Sequence, residues 1–308
     1  MELLEKIEKF LRKYALYEEY EEIAHELLKI RLSIFGQDHP DVASTYNNIG
    51  TAYADLGEYD KAMEYDQKAL SILVSFYGEN HPEVAKSYNN IGFVYDGLGE
   101  SGKALECYEK SLSIRLAVHG ENHPSVATSY NNIGSVYDEL GESGNALEYH
   151  EKSLNISMSV YGENHQDVAM SFNNIGSAYE SLGDNSKALE YYEESLKVFL
   201  SVYGENHPSV ATIYNNIGSV HYNLGEYVNS LESCQKSLSI RVSVLGECHP
   251  DVALSYTNIG FVYVALGEYA QALDCYEKAL VISMSVYGET HPYVVSLQEK
   301  IAELKQFQ

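Results

Sequence analysis

Residues 83–124 read EVAKSYNNIGFVYDGLGESGKALECYEKSLSIRLAVHGENHP, and residues 125–166 read SVATSYNNIGSVYDELGESGNALEYHEKSLNISMSVYGENHQ. The two stretches match at 29 of 42 positions. Outward from them the same frame continues. All six prolines follow a histidine, at positions 40, 82, 124, 208, 250 and 292, and His165-Gln166 fills the slot where proline is missing. Nineteen of the 22 glycines fall on three lines of that grid, running through Gly36, Gly50 and Gly57. Self-similarity at a fixed period of this length marks a repeat protein, and local motifs take their meaning from that frame.

The grid gives six full units, 41–82, 83–124, 125–166, 167–208, 209–250 and 251–292. Residues 1–40 align as a degenerate N-terminal capping repeat, and 293–308 align with the first half of a unit as a C-terminal capping helix. No linker or low-complexity segment interrupts them. Inside a unit the period is helical: Tyr46, Ile49, Gly50 and Tyr53 recur at i, i+3, i+4 and i+7, one stripe of a helix. Gly57 then ends it. A second stripe through Tyr59, Ala62, Met63, Leu70 and Ile72 runs to Gly78, and His81-Pro82 opens the next helix. Gly50 sits inside the first helix, where it costs about 1 kcal/mol against Ala, so a close approach of the partner helix is expected there. A single hairpin cannot bury its apolar stripe. Stacked hairpins can, which predicts an all-α solenoid of antiparallel helix pairs.

The pattern Tyr46-x-x-Ile49-Gly50-x-x-Tyr53, Gly57-x-Tyr59, Ala62 and Ala69-Leu70 resembles the tetratricopeptide repeat signature. That repeat is usually about 34 residues; eight more here lengthen the second helix by about two turns. The longer form, with H-P-x-V-A followed by N-N-I-G, is similar to the repeats of kinesin light chains, although no heptad coiled coil precedes the repeats in this sequence. The resemblance implies a right-handed superhelix whose concave surface is lined by the first helix of each hairpin. Met1–Tyr14 and Tyr293–Gln308 are amphipathic and are expected to cover the two ends. The chain is then expected to fold alone as a monomer, with end-to-end association as the alternative.

Charge narrows the partners. Asp and Glu number 45 against 20 Lys and Arg, a formal charge of −25. Such a chain repels phosphate backbones and anionic headgroups, so neither nucleic acid nor membrane is expected as a partner. No apolar run reaches the roughly 20 residues of a membrane span. The N-terminus lacks the apolar core of a signal peptide, and four unevenly spaced cysteines make no disulfide framework. A reduced, cytoplasmic protein is expected.

Three motifs suggest chemistry and fail on context. Residues 97–104, GLGESGKA, satisfy G-x-G-x-x-G, but a phosphate loop needs a preceding strand, and here a helix precedes it. Seven histidines (39, 81, 123, 165, 207, 249, 291) recur once per unit, whereas a metal needs three or four ligands at one point. They are expected to cap helices or pack between units. Serines such as Ser111, Ser153 and Ser195 alternate with Ala69 and Ala279 on one line, which marks tight packing rather than a nucleophile. No enzyme and no cofactor are expected.

On the first helix, the face opposite Tyr46, Ile49, Gly50 and Tyr53 carries Ser44, Asn48, Thr51 and Asp55, flanked by Asn47 and Ala54. Translation by 42 places Asn48, Asn90, Asn132, Asn174, Asn216 and Asn258 along it. Beside them stand Asn47, Asn89, Asn131, Asn173 and Asn215, with Thr257 closing the row. An amide both donates and accepts, so such a ladder can pair with an extended peptide backbone; equally, the amides can tie adjacent helices together. The other positions vary, as specificity positions do: Phe93, Phe261 and Tyr222, with Asp55, Asp96, Asp138, Glu139 and Glu180 opposing a single Lys86. The family's clamps for acidic peptides use basic residues that are missing here. The expected partner is therefore a polar or basic peptide segment held in the concave groove, anchored near Phe93 and Phe261, on a protein-interaction scaffold. The alternative is a structural spacer or self-assembling array with no peptide ligand.

Overall fold

The computed structural model describes residues 17–306, with side chains from residue 22. The expected N-terminal capping segment Met1–Tyr14 lies outside the described residues. Every described element is an α-helix. The chain forms two compact units, one ending at Val160 and the next beginning at Tyr161.

The first unit contains α1 (Tyr17–Phe35), α2 (Pro40–Asp55), α3 (Tyr59–Tyr77), α4 (Pro82–Gly97), α5 (Ser101–His119), α6 (Pro124–Glu139) and α7 (Ser143–Tyr161), whose last residue opens the second unit. The second unit continues with α8 (Gln166–Ser181), α9 (Asn185–Tyr203), α10 (Pro208–Asn223), α11 (Tyr227–Leu245), α12 (Pro250–Leu266), α13 (Tyr269–Tyr287) and α14 (Pro292–Leu304). The helix α1 has the 19-residue length of α3 and α5, so residues 17–35 take the form of a second helix.

The histidines act as expected of caps. In α2 and its equivalents, the Nδ1 of His39, His81, His123, His165, His207, His249 and His291 accepts the N–H two residues on, at 3.1–3.2 Å. Proline at the next position needs no donor of its own. Each ring also stacks on the residue four before it where that residue is aromatic, as His207 does on Tyr203 with centroids 3.9 Å apart. Gly57, at φ +76, lets the chain reverse after α2 and pair α3 against it. Residues 97–104 occupy the same helix-to-helix turn between α4 and α5, without a strand, so the phosphate motif has no structural basis.

The core repeats with the sequence. Val42, Val84, Val126, Val168, Val210 and Val252 are fully buried, as are Ala62 and its equivalents Ala104, Ala146, Ala188 and Ala272. Second-helix arginines stitch one hairpin to the next: Arg115 donates to the Ser129 hydroxyl and the Ser125 carbonyl, both at 2.8 Å. First helices of neighbouring hairpins also touch directly, α2 on α4 and α8 on α10. At the C-terminal end α14 buries Val294, Leu297, Ile301 and Leu304 against the last hairpin.

Candidate peptide-binding face

The half-exposed side of each first helix is the one that periodicity selects: in α2, Ser44, Asn48 and Thr51 are partly accessible and Asp55 is exposed, while Val42, Ile49 and Tyr53 are buried. The asparagines on this side are joined to one another. Asn132 Nδ2 donates to Asn89 Oδ1 at 3.0 Å, Asn216 to Asn173 at 2.9 Å, and Asn258 to Asn215 at 2.7 Å. The offset is 43 residues each time. Asn173 also donates to its neighbour Asn174 at 3.1 Å. At these three junctions the amide of one hairpin donates to the amide of the hairpin before it.

Asn47 differs. It is 1% exposed and pairs in both directions with the Ser87 hydroxyl of the next hairpin, at 3.0 and 3.1 Å. Its amide is enclosed, whereas Asn89, Asn90, Asn131, Asn132, Asn174 and Asn258 remain partly accessible. At the other end of the row Thr257 shares a 2.7 Å hydrogen bond with the Tyr293 hydroxyl.

The acidic positions divide by their partners. Glu180 is held by three donors: Tyr192 Oη at 3.0 Å, Ser219 Oγ at 2.7 Å and Asn223 Nδ2 at 3.1 Å. It joins α8 to α9 and α10 while remaining partly accessible on the face. Asp138 takes a 3.0 Å contact from Nε2 of the fully buried His150. Asp96 has a different environment. Burial, and then the neighbouring carboxyl of Glu139 in the next hairpin, push its pKa up to about 6. Phe93 and Phe261 project to solvent, 47% and 38% exposed. Phe261 is braced edge-on by Tyr276, with centroids 5.8 Å apart, and covered on one side by the Lys300 ammonium.

One column escaped the sequence reading. The residue packed on the interior glycine of each first helix comes from the second helix of the same hairpin, and it reads Asp66, Tyr108, His150, Tyr192, Cys234 and Tyr276. The expected close approach is here: a methyl group added at Gly176 would lie 2.8 Å from the Tyr192 ring. The signal was available, since a glycine recurring inside every first helix implies a fixed neighbour, but nothing in the sequence says which residue it is. Tyr192 fills its place fully and donates to Glu180. Asp66 does not: it is 1% exposed, and neither carboxyl oxygen has a hydrogen-bond partner. Burial raises its pKa to about 8, against a smaller opposite pull from the nearby Asn90 amide and the Lys86 ammonium. Cys234 is too small for its place. Beside it lies a cavity of about 590 Å³ lined by Asn215, Ser219, Tyr222, Leu254, Asn258 and Phe261 among others.

Among the described residues no group of His, Cys, Asp or Glu is arranged to hold a metal, and no helix is long and apolar enough to cross a membrane. The tetratricopeptide repeat model matches in seven overlapping segments, residues 15–73, 41–117, 83–159, 141–201, 167–225, 209–282 and 251–308. This chain belongs to the tetratricopeptide repeat family. Such repeats are generally non-catalytic and serve to bind other proteins.

Solved structures agree on the fold. BtubC (BKLC) of P. vanneervenii matches with a TM-score of 0.62 and 24% identity, over 78% of this chain and 93% of that one. A Podosopora anserina repeat protein classed with the kinesin light chains, with nearly identical TPR-like repeats, matches with a TM-score of 0.57 and 20% identity over 67% and 97%. The apo form of RapI gives a TM-score of 0.68 at 15% identity, over 98% of each chain. These likenesses establish an α-solenoid of stacked helix hairpins, with kinesin light chain-like repeats among its neighbours. Curated proteins yield no sequence match.

Proposed function

We propose that this chain is a non-enzymatic interaction module, of cytoplasmic location, that holds an extended polar or basic segment of a partner protein along its first helices. The six units from 41 to 292 form the working array, and residues 1–40 and 293–308 serve as its covers. What carries the reading is the combination of a constant frame with variable positions. Every unit offers an asparagine, and the residues around it change from acid to serine to aromatic while the frame stays fixed. The charge of that face supports a basic segment: burial and the neighbouring Glu139 carboxyl disfavour the ionised form of Asp96, and a lysine or arginine side chain placed between the two would relieve that repulsion.

A spacer or self-assembling array is the second reading. The observation favouring it is that the amides already bond to each other, so the ladder has a structural purpose without any ligand. A peptide-display selection on the intact chain separates the two, with counter-selection against Asp96→Lys plus Glu139→Lys. A convergent basic motif lost on the reversed-charge variant supports the binding module. Convergence on acidic sequences rules out the basic partner, and an empty selection with mass rising with concentration in light scattering favours the array.

A further inference from the structure

Four departures from the repeat frame converge on the junction between α10, α11 and α12. The ring that sits on the interior glycine in three hairpins (Tyr108 on Gly92, Tyr192 on Gly176, Tyr276 on Gly260) is replaced by Cys234 on Gly218. Tyr222 stands on the line where the three preceding units carry Asp96, Asp138 and Glu180. Phe261 stands where three preceding units carry Ser135, Ser177 and Ser219, and Leu254 follows Thr212 on its own line. Each change makes the same place emptier or more apolar. The rim residues Tyr222, Leu254 and Phe261 are 38%, 42% and 38% exposed, so the 590 Å³ space opens onto the face that carries the asparagines.

Its polar atoms are already arranged for an apolar guest. The Ser230 hydroxyl donates to the Gly218 carbonyl at 2.7 Å, and Asn258 donates to Asn215 at 2.7 Å. Burial pushes the Cys234 thiol up to about 11, so it stays neutral. A space whose serine and asparagine groups already hydrogen-bond within the chain, with an aliphatic and aromatic rim, gains most by excluding water with a flat apolar ring, and the preformed edge of Phe261 offers a ring contact. The chain itself shows that a phenyl-sized ring fits the column, because Tyr192 and Tyr276 are almost wholly buried there.

We propose that this cavity is an anchoring pocket for an aromatic side chain of the bound segment, the partner's ring occupying the place left by the tyrosine that this hairpin lacks. The inference rests on the reading of the first-helix face as a peptide site. It locates the main anchor at the Cys234 junction and gives Phe261 a specific role as one wall.

The chain contains no tryptophan, so a tryptophan in a peptide reports without background. The probe is Lys-Lys-Ala-Ala-Trp-Ala-Ala-Lys-Lys, with its Trp→Ala version as the comparison, both also prepared with fluorescein at the N-terminus for anisotropy. The expected result is a blue shift of the tryptophan emission on binding and an affinity at least tenfold above that of the alanine peptide. Cys234→Tyr, which copies three sibling hairpins, should remove both the shift and the tenfold advantage while leaving alanine-peptide binding unchanged. Phe261→Ala, a change at an exposed side chain, should reduce the advantage several-fold and serves if the tyrosine variant folds poorly by circular dichroism. If both peptides bind alike and neither substitution matters, the pocket is refuted while the basic-peptide face stands. If neither peptide binds the unmodified chain, the underlying reading is refuted and the pocket with it.

Discussion

Replacing Asp66 by asparagine should stabilise the hairpin α2–α3 in a way that grows with pH. Asp66 is buried with both oxygens unpartnered, and its pKa stands at about 8 against an ordinary 3.8. A carboxyl whose folded pKa lies above its unfolded one must take up a proton to fold. Its contribution is least unfavourable below pH 3.8 and becomes worse until the pH passes about 8. Between 3.8 and 7 each step of one in pH adds about 1.36 kcal/mol, roughly 4 kcal/mol in all. An asparagine side chain has the same shape and bears no charge. The expected gain for Asp66→Asn is therefore up to about 4 kcal/mol at pH 7, falling toward zero at about pH 4. Stability in a stack of hairpins is local, so the assay is amide exchange within α2 and α3, compared between variant and parent at about pH 4.5, 6 and 7.5 with the intrinsic rate divided out. A stability difference that stays the same across that range would show that Asp66 is ionised in the folded chain, and the burial argument would be wrong.

Other consequences follow from neighbouring residues. Binding of a lysine-rich peptide should weaken as the pH falls through about 6, because Asp96 must lose its proton to attract a cation; titration calorimetry in two buffers should also register proton release near pH 6, and Asp96→Asn should abolish it. Gly176→Ala puts a methyl 2.8 Å from the Tyr192 ring and should cost roughly 1–3 kcal/mol by thermal unfolding. Gly218→Ala closely approaches only the Cys234 thiol, which can turn into the cavity, so it should be near neutral or stabilising once the roughly 1 kcal/mol helix preference of alanine is counted. His207→Ala removes the acceptor for the Ser209 N–H and the stack on Tyr203, and should cost about 1 kcal/mol or slightly more. Acid should have a related effect at His123: burial, with His119 and Arg115, holds its pKa below 6.5, so its cap is fully present above that value and is lost as the pH falls beneath it.

The sequence revealed whatever repeats at a fixed interval. Proline and glycine lines located the helix starts and stops because backbone geometry alone dictates those residues, and His-Pro at the helix starts translated directly into a capped first turn. The asparagine rows were equally visible, but their partners were not. That Asn132 reaches back to Asn89 while Asn47 turns to Ser87 depends on how far one hairpin slides over the next, and no single unit encodes that distance. The burial of Asn47 has the same origin. Glu180 was legible as an acidic position of the groove, but its three donors were not: they come from α9 and α10, one of them 43 residues away. The column of Asp66, Tyr108, His150, Tyr192, Cys234 and Tyr276 was the hardest to find, because it is defined by what it touches and its chemistry changes from unit to unit.

The amide bond at a constant 43-residue offset also bears on what would decide between pairing within one chain and pairing with a second copy. Donor and acceptor are the same at each of these junctions, so the asparagine of one molecule meets the row of another on equal terms with its proper neighbour. Chemistry provides no discrimination between the two pairings. Discrimination comes from tethering: the turn between α9 and α10 spans only residues 204–207 and keeps the correct partner at a high effective concentration that a free copy cannot match. Lengthening that turn by a dozen flexible residues would weaken the tether without touching a single contact, and exchange of hairpins between molecules would then become a matter of protein concentration.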